Sequence, residues 1–313
     1  MPVTSLPDIL WEPIIRNALL EDFGTGGDST TQALVQPGQT LKAAFRARKT
    51  GILAGVQGAR LAFTLLDPTV RFEPHITDGT LLQPGSIIAT VEGRAETVLG
   101  GERTALNLLS HLSGIATTTR QIADAISGTK ARIVCTRKTL PGLRALQKYA
   151  VRAGGGHNHR YRLDDAILIK DNHLALCGGD VVAALKIARD RAGHLVKIEL
   201  EVDTPDQLER ALSCNIADAY LLDNMDLPTL KKAVILINKR AIAEASGGIT
   251  PETARPIAET GVDILSLGWL THSVQALDIG LDIPACPIRF CRSQRLTSAT
   301  YAPGNKYSRG SGL

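Results

Sequence analysis

The stretch VKIELEVDTPDQLERALSCNIADAYLLDNM, residues 196–225, decides the fold. It opens on a short apolar run, VKIEL (196–200), crosses a segment of helical spacing at 205–213, and reaches a second run, AYLL (219–222). Strand, helix and strand in that order make a right-handed βαβ unit, and therefore a parallel pair. The same beat continues in both directions. RIVC (132–135) and AILI (166–169) precede it, AIAEA (241–245) and DILSL (263–267) follow, and helical patterns lie at 143–153, 180–192, 226–238 and 250–260. Six repeats are too few for an eight-stranded barrel. They fit an incomplete or six-stranded α/β barrel, or an open doubly wound sheet.

Upstream the pattern differs. Residues 8–21 (DILWEPIIRNALLE) have apolar spacing suited to a helix despite Pro13 near its start. Alternating or short apolar runs follow at 41–48 (LKAAFRAR), 70–76 (VRFEPHI) and 87–93 (IIATVEG), with a helical pattern at 57–66 and a turn at Gln83-Pro84-Gly85. This predicts a small α+β domain with an antiparallel sheet. Residues 95–127 read as one or two helices that bury Leu106, Leu108, Leu109 and Leu112.

Composition narrows the function classes. Of 313 residues, 44% are hydrophobic but only 4% aromatic, so the core is built from Val, Ile, Leu and Ala, as parallel strands covered on both faces require. The formal charge of +4 is unevenly spread. Residues 285–313 hold Arg289, Arg292, Arg295, Lys306 and Arg309 and no acid, so the body carries 30 basic against 31 acidic residues. A basic excess confined to one short segment gives no nucleic-acid footprint. The five cysteines (Cys135, Cys177, Cys214, Cys286, Cys291) form no C-x-x-C pair and read as reduced thiols. No apolar run approaches the ~20 residues of a membrane helix, and the first residues show no basic-then-apolar pattern of a signal peptide. The expectation is a soluble, cytoplasmic protein that contacts neither membrane nor nucleic acid.

What ends each strand points to function. The first runs into Thr136, Arg137 and Lys138, the second into Lys170-Asp171-Asn172, the third into Glu201 and the fourth into Asp223-Asn224. The fifth ends at Ser246-Gly247-Gly248 and the sixth at Gly268. In barrels and open α/β sheets this rim is where ligands bind. The loop Gly154-Gly155-Gly156-His157-Asn158-His159-Arg160-Tyr161-Arg162 adds further cations. Arg forks match carboxylates and phosphates, and Lys serves as a mobile point charge, so the rim suits a substrate with several negative charges. Two carboxylates on neighbouring strand ends, Glu201 and Asp223, suit Mg²⁺, which takes one or two protein carboxylates and keeps its waters or phosphates. Ser246-Gly247-Gly248-Ile249 before a helix reads as a seat for phosphate.

Other chemistries fit less well. His157 and His159 are two apart, but no second cluster at usual spacing completes a zinc site. His194 and His272 read as isolated surface or packing residues. Cys135 lies within an apolar strand and reads as a small buried hydrophobe rather than a nucleophile. Lys170 at a strand end is a candidate Schiff-base lysine of an aldolase, although an aldolase needs no such wall of cations.

The segment TRKTLPGLRALQKYAVRAGGGHNHRYRLDDAILIKDNHLA (136–175) closely resembles the central signature of the quinolinate phosphoribosyltransferases (nicotinate-nucleotide pyrophosphorylase, carboxylating). So do EDFGTGGDSTT (21–31), GERTALNLLSHLSGIAT (101–117), ELEVDT (199–204), LLDNM (221–225), EASGGIT (244–250) and SLGWLT (266–271). The resemblance spans about residues 8–284 in order. It implies a six-stranded incomplete α/β barrel of the type II phosphoribosyltransferases, with an N-terminal open-faced α+β sandwich, assembled as a homodimer. The implied bounds are 1–114, completed by 272–284, for the sandwich and 115–271 for the barrel.

The implied reaction joins quinolinate to phosphoribosyl pyrophosphate, releasing pyrophosphate and CO₂. By matching motifs, Arg137, His159 and Arg160 would hold the pyridine dicarboxylate beside Thr136, with Arg103 supplied by the neighbouring subunit. Lys138 and Lys170 would face both substrates, and Glu201 and Asp223 would bind the ribose hydroxyls and the Mg²⁺-linked pyrophosphate. Lys138, Lys170, Glu201 and Asp223 are thus the expected catalytic set. Ser246, Gly247, Gly248 and Gly268 would seat the 5′-phosphate. A relative acting on nicotinate alone would not need the cations of His159, Arg160 and Arg103. The segment after Pro284 departs from the family pattern, and its Ser, Gly and Arg content predicts a disordered basic tail.

Overall fold

The computed structural model describes residues 3–283. The expected disordered tail at 285–313 lies outside the described residues. The chain opens with helix α1 (Asp8–Phe23), which buries Trp11, Ile15 and Leu19 on one face. Pro13 falls in its second turn, where it removes one i→i−4 hydrogen bond near the start of the helix. A short α2 (Ser29–Leu34) is started by Asp28, whose carboxylate accepts from the N–H groups of Thr30 and Thr31. Next come β1 (Thr40–Ala47), β2 (Gly51–Ile52), α3 (Val56–Thr64), β3 (Arg71–Pro74), β4 (Leu81–Leu82) and β5 (Ile87–Arg94). Then α4 (Ala95–Ala125) runs 31 residues as a single helix.

The N-terminal sheet is antiparallel, in the order β13 (Ile279–Asp282), β1, β5, β3. Its edge strand β13 arrives from the far end of the chain, pairing Ala44 with Asp282 and Ala47 with Ile279. Apolar side chains of this sheet meet α1, α3 and α4 in a core centred on Trp11, Phe45 and Phe63, all fully buried. Phe45 and Phe63 meet edge-on at 5.9 Å between centroids. Burial of one such ring stabilises by roughly 1.5–3 kcal/mol.

The second core belongs to the repeating half. Its strands are β6 (Arg132–Cys135), β7 (His157–Asn158), β8 (Ile167–Ile169), β9 (Ile198–Val202), β10 (Ala219–Asp223), β11 (Ile242–Ser246) and β12 (Ile264–Ser266). The helices are α5 (Arg144–Ala153), α6 (Asp171–Leu176), α7 (Val181–Arg191), α8 (Pro205–Leu212), α9 (Leu227–Ile237) and α10 (Pro251–Ala258). The sheet order is β7–β6–β12–β11–β10–β9–β8, and every pairing in it is parallel. The six expected strands are therefore present, and a seventh of two residues is added at one edge. The two edge strands, β7 and β8, are consecutive in the chain but not paired, so the barrel stays incomplete.

Several βα turns end on a helix signal. Thr204, Asp226 and Thr250 each cap a helix whose first turn carries Pro. The strands alternate outward and inward. In β9, Ile198, Leu200 and Val202 join the core under the helices, which leaves Glu199 and Glu201 facing the barrel interior. In β10 and β11 the same alternation sends Tyr220, Leu222, Ala243 and Ala245 outward, and Leu221, Asp223, Glu244 and Ser246 inward. An apolar outside and a polar inside make this barrel a container rather than a packed core.

Candidate active site

A cavity of about 700 Å³ opens at the C-terminal ends of the strands. Its wall includes Thr136, Arg137, Lys138, His159, Arg160, Lys170, Glu201, Asp223, Ser246, Gly247, Gly248 and Gly268. Of the expected site residues, Arg103 alone is outside: it is exposed on α4 and does not line this cavity. The wall also holds Asn224, beside Asp223 at its strand end, and Leu168, Leu221, Glu244, Ser266, Trp269 and His272, which the sequence did not nominate. His272, expected to be a bystander, stands on the cavity edge just after the turn Trp269–Thr271.

The cationic wall is held from behind. Lys138 sits in a turn where its N–H donates to Thr136 Oγ1 (3.0 Å) and its carbonyl accepts from Thr271 Oγ1 (2.7 Å). A Cβ on Gly268 would lie 2.7 Å from Lys138 Cδ, so glycine leaves the space that side chain occupies. Arg160 Nη1 donates to Ala166 O (2.7 Å) across the gap between β7 and β8. The Nε of Arg137 is buried with no hydrogen-bond partner, a donor left over for a ligand. Burial, and the neighbouring Arg137, lower the pKa of Arg160 against the opposing pull of Glu199 and Asp165.

Beneath them Lys148, fully buried on α5, donates to His159 O (2.8 Å) and to Cys135 Sγ (3.3 Å). Cys135 is thereby a buried member of the supporting layer, and burial raises its thiol pKa. Lys148 stands 5.0 Å over the Tyr161 ring. Burial lowers the Lys148 pKa, against the opposing pull of Cys135. These contacts fix the loop 157–161, where a two-residue strand alone would not.

The anionic side is equally built. Lys170 Nζ pairs with Glu201 Oε2 at 2.5 Å, and Asn224 Nδ2 donates to Asp223 Oδ2 at 2.6 Å. Lys170 is thereby committed to an ion pair with Glu201. Gly247 and Gly248 have φ of 97° and 57°, a left-handed turn that L side chains resist. The α10 N-terminus beyond them is closed by Thr250 and begins with Pro251, which has no N–H.

A second acidic group lies deeper. His159 Nε2 meets Glu199 Oε2 at 2.8 Å and Glu244 Oε1 at 3.8 Å. His159 Nδ1 accepts from Arg160 N–H (2.8 Å), so the ring carries its one proton on Nε2. Burial opposes a second proton, and Glu199 followed by Glu244 more than offset it, raising the His159 pKa. Both ring nitrogens are thus engaged within the protein, while His159 and the arginine beside it both line the cavity. Glu244 is 2% exposed, and burial followed by the Glu199 charge pushes its pKa up to about 8.

The sequence signal for Glu199 and Glu244 is a charged residue at the centre of an otherwise apolar strand. Such residues are almost never fully buried unless paired. His157 belongs to no group of three metal-ligand side chains among the described residues. Among the described residues, His159, Glu199 and Glu244 instead form a compact cluster drawn from three strands or their ends.

Known proteins agree with this architecture. The C-terminal domain model of quinolinate phosphoribosyl transferase matches residues 115–282, and its N-terminal domain model matches residues 28–113. A probable nicotinate-nucleotide pyrophosphorylase [carboxylating] of Bacillus subtilis is 45% identical over 270 residues, covering 86% of this chain and 92% of its own. A nicotinate-nucleotide pyrophosphorylase [carboxylating] of Mycobacterium leprae is 47% identical over 277 residues, covering 86% and 95%. The crystal structure of NadC from Streptococcus pyogenes superposes with a TM-score of 0.86 at 37% identity, covering 89% of this chain and 98% of that one. The chain belongs to the quinolinate phosphoribosyl transferase family.

Proposed function

We propose that the cavity joins quinolinate to phosphoribosyl pyrophosphate, yielding nicotinate mononucleotide, pyrophosphate and CO₂, the decarboxylating pentosyl transfer of NAD biosynthesis. The observation that carries this reading is the meeting of Arg137, Lys138, Arg160 and Lys170 with Glu201 and Asp223 in one cavity of about 700 Å³. Four cations suit a dicarboxylate and a triply phosphorylated sugar together. Arg137, with its unpartnered Nε, and Arg160 hold the two carboxylates, and His159 fixes the Arg160 backbone. Gly247, Gly248, Gly268 and Ser246 receive the 5′-phosphate.

Departure of pyrophosphate leaves a cationic sugar centre, which Glu201 and Asp223 stabilise while Lys138 and Lys170 neutralise the leaving group. Glu201 is buried with one oxygen on Lys170, and Asp223 is half-buried with one oxygen on Asn224. Hard oxygen donors with spare lone pairs fit Mg²⁺ shared with pyrophosphate. Bound there, Mg²⁺ would supply charge neutralisation on the leaving phosphates. Once the ring nitrogen is quaternised it serves as electron sink for loss of CO₂ from C2, and the protein mainly orients the ring.

The exposed Arg103 supports a homodimer in which that residue enters the partner's cavity. Free thiols at Cys135, Cys177 and Cys214 suit a reducing, cytoplasmic setting. Among the described residues no helix is long and apolar enough to cross a membrane. The test is substrate discrimination by purified protein with Mg²⁺ and phosphoribosyl pyrophosphate. Quinolinate should turn over and nicotinate poorly, and equal turnover of nicotinate would overturn the reading.

A further inference from the structure

Loss of CO₂ breaks the bond from C2 to its carboxylate and leaves the electron pair on C2. The product carries hydrogen there, so something must deliver a proton. The lysines on the rim are poorly suited: Lys170 is held by Glu201, and Lys138 is exposed. His159 offers its Nε2 proton to Glu199 and accepts at Nδ1. Glu244 is different. It projects into the barrel interior from β11, is 2% exposed, and its Oε1 has no hydrogen-bond partner.

Glu244 also stands between two openings. A second cavity, of about 1080 Å³, enters at the N-terminal ends of the strands, where Lys130, Lys197, Asp218 and Asp263 form its rim. The two cavities share His159, Arg160 and Glu244. One carboxyl group therefore lines the substrate cavity on one side and the second cavity, at the opposite mouth of the barrel, on the other.

Resting on the reaction assigned above, we propose that Glu244 is the acid that protonates ring C2 after decarboxylation and is reprotonated through the opposite mouth of the barrel. The balance is simple. CO₂ leaves, the pair on C2 takes the proton from the Glu244 carboxyl, and the resulting carboxylate recovers a proton from water. The groups around it keep it neutral beforehand. Glu199 faces it from β9, His159 from the segment after β7 and Ser266 from β12, while its register neighbour on β10 is the apolar Leu221. Arg160 and Glu244 both border the two cavities, so a ring carboxylate held by Arg160 would bring the C2 side of the ring toward Glu244. An ionised Glu244 would repel the dicarboxylate; a neutral one admits it and carries the proton it needs. Burial and the like charge of Glu199 hold it in that state at neutral pH.

The test uses Glu244→Gln, which keeps shape and neutrality but has no acidic proton, followed in single turnovers so that product release cannot mask the step. Nucleotide formation should fall at least about 10²-fold, the range for loss of a general acid, with the KM for quinolinate within twofold. The wild-type rate should decline as pH rises through about 8, where Glu244 loses its proton, and that limb should be absent from Glu244→Gln. Glu244→Asp should retain the limb. It guards against a misfolded amide variant, as does the wild-type profile itself. A wild-type rate in Glu244→Gln, a flat wild-type profile from pH 7 to about 9.5, or a rise in KM alone would overturn the proposal. So would a stoichiometric metal ion held by wild type and lost in Glu244→Gln, since it would occupy the place of the proton. Absence of nicotinate mononucleotide with the wild-type protein would instead refute the reaction and not this role.

Discussion

Gly247→Ala isolates the contribution of the phosphate turn. The native φ of 97° costs an L residue roughly 1–2 kcal/mol. A Cβ there would lie 2.5 Å from Asn224 Cγ and 3.0 Å from Asn224 N. The side chain can swing, but the backbone is tied by the Asn224 N–H bond to Ser246 O (2.9 Å), so relieving the overlap costs a further ~1–3 kcal/mol. Together these give about 2–5 kcal/mol, a drop in Tm of roughly 3–8 °C for a chain of this length.

The displacement also reaches the chemistry, because Asn224 Nδ2 bonds Asp223 Oδ2 at 2.6 Å. A shift of about 1 Å in such a group costs about 10²-fold in rate. Thermal melts and steady-state kinetics should show lower stability and a matching loss in kcat/KM for phosphoribosyl pyrophosphate, with the KM for quinolinate little changed. Gly248→Ala is the control. Its φ is 57° and its added Cβ meets nothing within 4 Å, so its Tm should show the strain without the overlap. Equal Tm in the two variants, with wild-type kinetics in Gly247→Ala, would refute the reasoning.

Three further predictions address other parts of the molecule. Arg160→Ala should reduce turnover by about 10²–10³-fold, the range for one preorganised charge-stabilising group, while its circular dichroism stays that of the wild type; normal kinetics would remove it from the clamp. Mixing inactive Arg103→Ala with inactive Lys138→Ala should restore up to about a quarter of the sites, since half of randomly mixed dimers are heterodimers with one intact site each. No recovery after verified subunit exchange would mean that each chain builds its own site. Asp67 accepts from Thr69 N–H (2.9 Å) and Thr69 Oγ1 (2.7 Å) and pairs with Arg94 Nε (2.8 Å), which lowers its pKa to about 2. A lowered carboxyl pKa stabilises the fold above the unfolded value of about 4 and loses that contribution as pH falls through about 2. Urea midpoints should place Asp67→Asn below wild type at pH 7 and converge with it near pH 2; a constant gap would contradict the assignment.

Most of the barrel was legible because each βα unit carries its own local signals. The run VKIEL and the Thr204-Pro205 helix start are readable without knowledge of what they pack against. The cationic rim was legible for the same reason, since strand ends name the residues that reach it. Local reading failed where a residue's role depends on a partner distant in the chain. His157–Asn158 is a strand only because Val134 and Cys135 lie alongside it, and a Gly-rich loop gives no period to announce that. Glu244 sat in what read as an apolar run, and only closure of the sheet brings it against Glu199 and His159. His272 follows the last strand and reaches the cavity through the turn at Trp269–Thr271, a geometry that spacing does not encode.

The central claim, transfer coupled to decarboxylation in this one cavity, meets its most direct test in a stoichiometry. Quinolinate labelled in the C2 carboxylate, incubated with phosphoribosyl pyrophosphate, Mg²⁺ and the protein, should release labelled CO₂, pyrophosphate and nicotinate mononucleotide one to one to one, and none without the phosphoribosyl donor. Labelled CO₂ formed without that donor, or pyrophosphate released with the label still on the ring, would contradict the account.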